Sequence, residues 1–224
     1  NLPHLQPPEG TFFITYRLFG SIPTNIISEL KEQHKQALAQ IQQEHRLVDG
    51  VKMDDLPPPQ RQVWEAIIQK KEYLEGKKHF KRLDDFLDTN LNEPHWLKKA
   101  EIAELVKNSL HHFENQHYRL WAYTIMANHV HALLTMLPGA PILWKVLQDS
   151  KKFTGRQANR LLGREGQFWE EESYDHLIRA NWELQVGEFD RILWYILNNP
   201  VKAGLVKEWQ DWAWSFSHPE LLAG

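Results

Sequence analysis

Residues Thr11–Phe19 read Thr-Phe-Phe-Ile-Thr-Tyr-Arg-Leu-Phe, a β-rich run. A strand there puts Phe13, Thr15, Arg17 and Phe19 on one face and Phe12, Ile14, Tyr16 and Leu18 on the other. Gly20 and Pro23 end it. Between Ile26 and His45, Ile26, Leu30, Ala37, Leu38 and Ile41 recur at helical intervals on a Gln/Lys/Glu background, which predicts a helix with an exposed outer face. Pro57-Pro58-Pro59 breaks the chain. A helix is expected over Gln60–Tyr73, a basic turn over Gly76–His79, and a short helix over Arg82–Leu91 closed by Asn92-Glu93-Pro94. Leu97, Ile102, Leu105, Val106, Leu110 and Phe113 predict a stronger helix from Trp96 to Glu114. Two strands follow, Tyr118–Met126 and His129–Met136, joined at Ala127-Asn128 into an antiparallel hairpin. A helix over Ile142–Leu162 ends at Gly163, and a strand is expected over Tyr174–Ile178. A last helix, Val186–Asn198, stops before Pro200, because proline disfavours helical geometry in its predecessor. The aromatic tail Trp209–Phe216 is expected to pack along the sheet.

Strand, long helical region, hairpin, helix, strand and helix in that order predict an α+β fold: a ferredoxin-like antiparallel sheet with helices packed on it. The stretch from 24 to 115 is too long for one crossover helix and is expected to be a helical insertion within a single domain spanning 1–224. The 224 residues include 42% hydrophobic and 25% charged positions, the balance of a globular chain with a real core. No apolar run approaches the ~18 residues of a membrane span, so no membrane partner is expected. The first ten residues lack a basic and an apolar signal region, and a soluble cytoplasmic protein is the expectation. With no cysteine in the chain, disulfides, thiolate metal sites and cysteine nucleophiles are excluded. A net charge of −3 means that any basic surface must be local. Ten tryptophans are many for this size; most are expected in the core, the rest being candidate platforms for base stacking.

Candidate chemistry centres on His129-Val130-His131. On a strand, alternate residues share a face, so both imidazoles can reach one divalent ion. Twelve histidines supply roughly 0.6 such pairs by chance, so the pair needs context. Tyr195 and Asn199 stand four apart and would project from one helix face. Lys145 to Glu165 carries six basic residues against two acidic ones in an otherwise acidic chain. Among them Lys152, Arg156, Arg160 and Arg164 recur every fourth position and, with Lys151, form a candidate phosphate track.

At these residues the chain resembles the single-tyrosine HUH transposases, and more narrowly it is similar to the REP-associated tyrosine transposases. The run Ile125-Met126-Ala127-Asn128-His129-Val130-His131 looks like their metal-binding signature, with Ala127 where the family commonly has proline, in the turn rather than among the ligands. Three further blocks match in order: Phe153-Thr154-Gly155-Arg156; Phe168-Trp169 followed by Tyr174-Asp175-His176-Leu177-Ile178-Arg179; and the run from Tyr195 to Val206. Together with the first strand they cover roughly the C-terminal half and leave the insertion unexplained. The resemblance implies the HUH endonuclease fold, with His129 and His131 as metal ligands and Asn199 as the third. It implies Mg²⁺ or Mn²⁺ as cofactor, and single-stranded or hairpin DNA of the repetitive extragenic palindrome type as partner. Tyr195 would be the nucleophile that becomes joined to the 5′ side of the break. His176 is a further catalytic candidate, through a phosphate or a proton, and Arg179 joins the basic residues of the helix as a DNA contact. The active assembly is expected to be a monomer or a homodimer.

A tyrosine hydroxyl, with a pKa near 10, is a poor nucleophile at neutral pH and needs a positive centre or a base beside it. A divalent ion held by imidazoles and an amide oxygen meets that need, and its mixed nitrogen and oxygen donors leave positions open for substrate. Tyr174, two residues before His176 and so on the same strand face, is a rival nucleophile. Two other functions stay open on the sequence: a non-catalytic single-stranded nucleic-acid binding module, and a metal phosphodiesterase that uses water.

Overall fold

The computed structural model describes residues 7–48, 50–90, 94–178 and 187–221. In chain order the elements are β1 (Thr11–Arg17), α1 (Thr24–Glu44), β2 (Leu47–Val48), β3 (Val51–Lys52), α2 (Pro58–Thr89) and α3 (Ala100–Phe113). There follow β4 (Tyr118–Ile125), β5 (His129–Met136), α4 (Leu143–Leu162), β6 (Tyr174–Ile178), α5 (Glu188–Leu197), α6 (Asn199–Lys202) and β7 (Ser215–Ser217). The chain divides into two compact units, 1–21 with 91–224, and 22–90.

The larger unit is α+β. Its sheet is antiparallel with spatial order β6-β1-β5-β4-β7. Without the edge strand β7, the four longer strands, taken in chain order as first to fourth, lie fourth-first-third-second, which is the ferredoxin-like arrangement. One face of the sheet carries Phe12, Ile14, Tyr16 and Leu18 from β1 and Val130, Ala132, Leu134 and Met136 from β5, all buried. These form one core with Ile102, Ala103, Val106 and Leu110 of α3 and Leu143, Val146 and Ala158 of α4. The opposite face is covered by α5, which buries Ile192, Leu193, Ile196 and Leu197. A sheet covered on both sides explains why β1 and β5 read as nearly continuous apolar runs.

The β4–β5 hairpin turns through Met126-Ala127-Asn128, and its backbone is tied down from two sides. Leu97 N–H donates to the Ala127 carbonyl at 3.2 Å and Leu18 N–H to the Asn128 carbonyl at 2.8 Å. The expected helix over Trp96–Glu114 starts instead as a single 3₁₀ turn, Trp96–Lys98, and becomes α-helical at Ala100. The aromatic tail lies along the sheet as expected: β7 pairs with β4, and Trp212 Nε1–H donates to the Ile125 carbonyl at 3.1 Å.

The smaller unit is a pair of helices, α1 and α2, with the short β2–β3 hairpin between them. The turn expected at Gly76–His79 is a correction: α2 runs unbroken through Gly76 and His79 from Pro58 to Thr89. A mid-helix glycine costs about 1 kcal/mol relative to alanine and does not stop a helix that packs along its length. Here Glu75, Asp84 and Leu87 are buried, and Gln42 of α1 donates to Glu72 of α2 at 3.1 Å. The three prolines act at the start, with Pro57 at the N-cap and Pro58 in the first turn, where a missing N–H costs nothing. Among the described residues no helix is long and apolar enough to cross a membrane.

Candidate metal and phosphate site

The face of the sheet under α5 holds the candidate chemistry. Strand pairing places Thr15 beside His131 and Arg17 beside His129, and on the other flank Tyr174 beside Thr15 and His176 beside Phe13. Directly paired residues of antiparallel strands share a face. Six of these seven side chains are polar, on a sheet whose other face is all core.

His129 and His131 are fully buried, and their Nε2 atoms stand 3.1 Å apart. One ion about 2.1 Å from both nitrogens would subtend an angle of about 95° at the metal, within the range of neighbouring ligands. The outer nitrogens are held as well. His129 Nδ1 lies 2.7 Å from Asn128 Oδ1, and His131 Nδ1 lies 2.7 Å from Thr15 Oγ1. Such partners fix ring orientation and tautomer at metal sites.

Tyr195 reaches the pair from α5. Its ring centroid is 5.6 Å from that of His131 and 5.8 Å from that of Phe13, edge-on to both. Tyr195 and His131 thus meet within one chain. Asn199 is almost wholly buried, and neither Oδ1 nor Nδ2 has a hydrogen-bond partner among the described residues. The helical path does not fray before Pro200. Asn198 stays right-handed helical and Asn199–Lys202 forms a further turn with the proline near its start. An amide buried without partners costs about 1–3 kcal/mol, which a bound ligand would offset. The two converging imidazole nitrogens fit a divalent ion.

Tyr174 packs edge-on against the same Phe13 ring at 6.0 Å. Burial, with Asp175 and Glu188 adding, pushes its hydroxyl above the ordinary tyrosine range, which disfavours the nucleophilic phenolate. His176 Nε2 lies 3.2 Å from Glu188 Oε1, and Arg191 donates to the same oxygen at 3.1 Å. The Glu188 side chain is 1% exposed, so this carboxylate anchors the start of α5 to β6. Arg17 donates to Glu170 at 3.1 Å and to Ser21 at 3.4 Å.

The basic residues of α4 divide. Lys152, Arg156 and Arg160 are exposed. Lys151 is turned inward to the Glu171 carbonyl at 2.9 Å and Ser173 Oγ at 3.0 Å, and burial lowers its pKa to about 8. Arg164 lies beyond the left-handed cap Gly163, stacked 3.9 Å over Trp96 and donating to Asn159 and the Gln167 carbonyl. Helix α4 packs on the sheet face opposite the histidines, but runs back toward the hairpin end at which they lie. Arg179 falls outside the described residues. Sequence reasoning missed Thr15, Asn128 and Glu188. Only strand register, or the position of Asn128 next to His129, signals the first two; nothing local marks Glu188.

A covered antiparallel sheet with a buried His-x-His pair and an adjacent tyrosine defines the class of site. No protein-family model matches the chain, and no curated protein matches it. Among solved structures, the chain is similar to a REP-associated tyrosine transposase bound to a REP hairpin, with 15% identity and a TM-score of 0.47 over 100% of this chain and 86% of that one. A likeness that loose assigns no activity to this chain.

Proposed function

We propose that this chain is a metal-dependent endonuclease and strand transferase acting on single-stranded DNA, hairpin-bearing DNA included, with Tyr195 as nucleophile. The observation that carries it is the edge contact of Tyr195 with His131, whose Nε2 lies 3.1 Å from that of His129. The four ordered sequence blocks support it further. His129, His131 and Asn199 would hold Mg²⁺ or Mn²⁺, which when bound supplies positive charge for a phosphodiester oxygen. Tyr195 Oη attacks phosphorus, the P–O3′ bond breaks, the phenol loses its proton and the departing 3′ oxygen gains one. The product is a 5′-phosphotyrosine with a free 3′-hydroxyl, and the reverse attack by such a hydroxyl rejoins DNA without ATP. His176, held by Glu188, flanks the nucleophile as a phosphate contact or proton carrier. Lys152, Arg156 and Arg160 guide the strand, with Lys151, Arg164 and Arg179 as further candidates. We assign the chain to one functional domain, 1–224, and read the insertion as residues 22–90 rather than 24–115, because α3 packs in the core of the larger unit.

The test is a denaturing gel after incubation of the full chain with hairpin-bearing single-stranded DNA and Mn²⁺. Wild type is expected to form a covalent protein–DNA adduct. Tyr195→Phe removes one oxygen and keeps the ring that packs on Phe13, so folding and DNA binding should survive while cleavage and adduct vanish together. Cleavage that persists without an adduct turns the reading to a water-using phosphodiesterase. DNA binding without cleavage in wild type turns it to a binding module. Adduct lost in Tyr174→Phe but kept in Tyr195→Phe moves the nucleophile to β6.

A further inference from the structure

Among the described residues only two tryptophans are exposed, Trp144 and Trp194, and Trp194, at 53%, stands next to Tyr195 on α5. The core does not call for an indole there. Ile192, Leu193, Ile196 and Leu197 already fill the buried side of the helix, and an aromatic ring left in water contributes little to folding.

The neighbours of Trp194 are ordered by their chemistry. Each helical residue turns by about 100°, so Asn198 and Arg191 project about 40° and about 60° round from Trp194, in the gap before Tyr195 at about 100°. Both are exposed, and Asn198 keeps helical backbone angles past the last residue of α5. Arg191 donates to Glu188 Oε1 at 3.1 Å, yet its side chain is 62% exposed, so its guanidinium still faces water. Asp190, also exposed, lies about 40° from Trp194 in the other direction. The outer surface of α5 therefore runs from a carboxylate, over an indole, across a guanidinium and an amide, to the phenol. A polyanionic strand is repelled by the first and attracted by the third. Its phosphates then pass along the Arg191 and Asn198 side toward Tyr195, and the group left over the indole is a base attached beside them.

We propose that Trp194 is the stacking platform for an unpaired base beside the scissile phosphate, with Arg191 and Asn198 contacting the backbone between that base and Tyr195. This rests on the reading of Tyr195 as a nucleophile toward single-stranded DNA. A paired base has both faces covered by its neighbours in the duplex, so the platform admits a single-stranded segment at the break and excludes a paired stem. Every base has a π face, so stacking positions the strand without reading its sequence.

The experiment uses the full chain and hairpin-bearing single-stranded DNA. Wild type with Mn²⁺ on a denaturing gel first locates the break. Binding is then measured in a Tyr195→Phe background, with and without Trp194→Ala, and with each base near the break removed in turn. Trp194→Ala should weaken binding about fivefold to a hundredfold, and Trp194→Phe, which keeps a ring, should recover most of it. Removing one base should cost the chain with Trp194 a similar factor and cost the Trp194→Ala chain nothing further. A fluorescent 2-aminopurine at that position should be quenched by the chain with Trp194 and not by Trp194→Ala. An adduct in wild type with binding unchanged in Trp194→Ala, or with equal penalties for base removal in the two chains, overturns the platform alone. A Trp194→Ala chain that changes its oligomeric state and not its DNA binding also overturns it, and makes the indole a contact between copies. No adduct in wild type overturns the nucleophile and the platform together. Should Trp194→Ala fail to fold, Trp194→Phe and the quenching still decide.

Discussion

His34 and His79 stack with ring centroids 4.4 Å apart and planes 12° from parallel, an arrangement that suits neutral rings and not two imidazolium ions. Burial lowers the pKa of His79 from 6.5 to about 4, with His34, Arg82 and Lys31 lowering it further and Glu75 opposing them. A base with a depressed folded pKa stabilises the fold above its unfolded value. That stability is lost as pH falls from 6.5 toward about 4, where the unfolded chain binds a proton that the folded chain refuses. The thermal midpoint of the full chain should therefore drop through that window, and His79→Gln should make the drop shallower. An equal drop in the variant would place the acid sensitivity on other groups. Gly155 shows a second dependence on single atoms. A Cβ there would come within 3.3 Å of the Phe168 Cβ, so the glycine of the Phe-Thr-Gly-Arg block is where α4 admits the Phe168-Trp169 segment. Trp169 Nε1–H then donates to Thr154 Oγ1 at 2.9 Å, joining two of the sequence blocks by one bond.

Helix α2 shows how an element overrides its weakest position. Gly76 lies mid-helix, a Cβ built on it meets nothing within 4 Å, and its φ is not among the positive values. Gly76→Ala should therefore raise stability by about 1 kcal/mol, from helix preference and from a less flexible unfolded chain. Urea unfolding of the two proteins checks it, and a loss of stability would mean that the helix is broken there after all. Strand β4 carries the opposite device. Its pairing with β5 shifts register between Leu120 and Ala122, and the bulge aims Trp121 at Thr135, with Nε1 to Oγ1 at 2.7 Å. From there Trp121 meets Phe189 of α5 edge-on at 5.7 Å, so an irregular strand helps to seat the helix that carries Tyr195.

The whole chain is slightly acidic, yet Lys152, Arg156 and Arg160 stand exposed on one helix without a carboxylate paired to any of them among the described contacts. Local rather than net charge should then govern DNA binding. Replacing Arg156 and Arg160 with alanine should weaken single-stranded DNA binding and reduce the log–log salt slope by about 0.7 per lost phosphate contact. Arg164→Ala should leave the slope alone and lower stability instead, because that side chain is committed to Trp96 and Asn159. A titration of binding against salt separates the two, and a slope unchanged in the double variant would make the stripe a solvated face. The sequence by itself determined the strands β1, β5 and β6, the hairpin between β4 and β5, and the alternation that puts His129 and His131 on one face. All of these follow from side-chain period and turn chemistry within a few residues. It did not determine the continuity of α2, because a glycine followed by three basic residues resembles a turn until a packed neighbour outweighs them. Nor could it place Thr15 against His131, Glu188 against His176, or Tyr195 against Phe13. Those contacts span 116, 12 and 182 positions, and they depend on strand register and on which face of the sheet a later helix covers. It equally could not separate Arg156 and Arg160 from Lys151 and Arg164, since identical charges differ only in whether the folded chain gives them a partner.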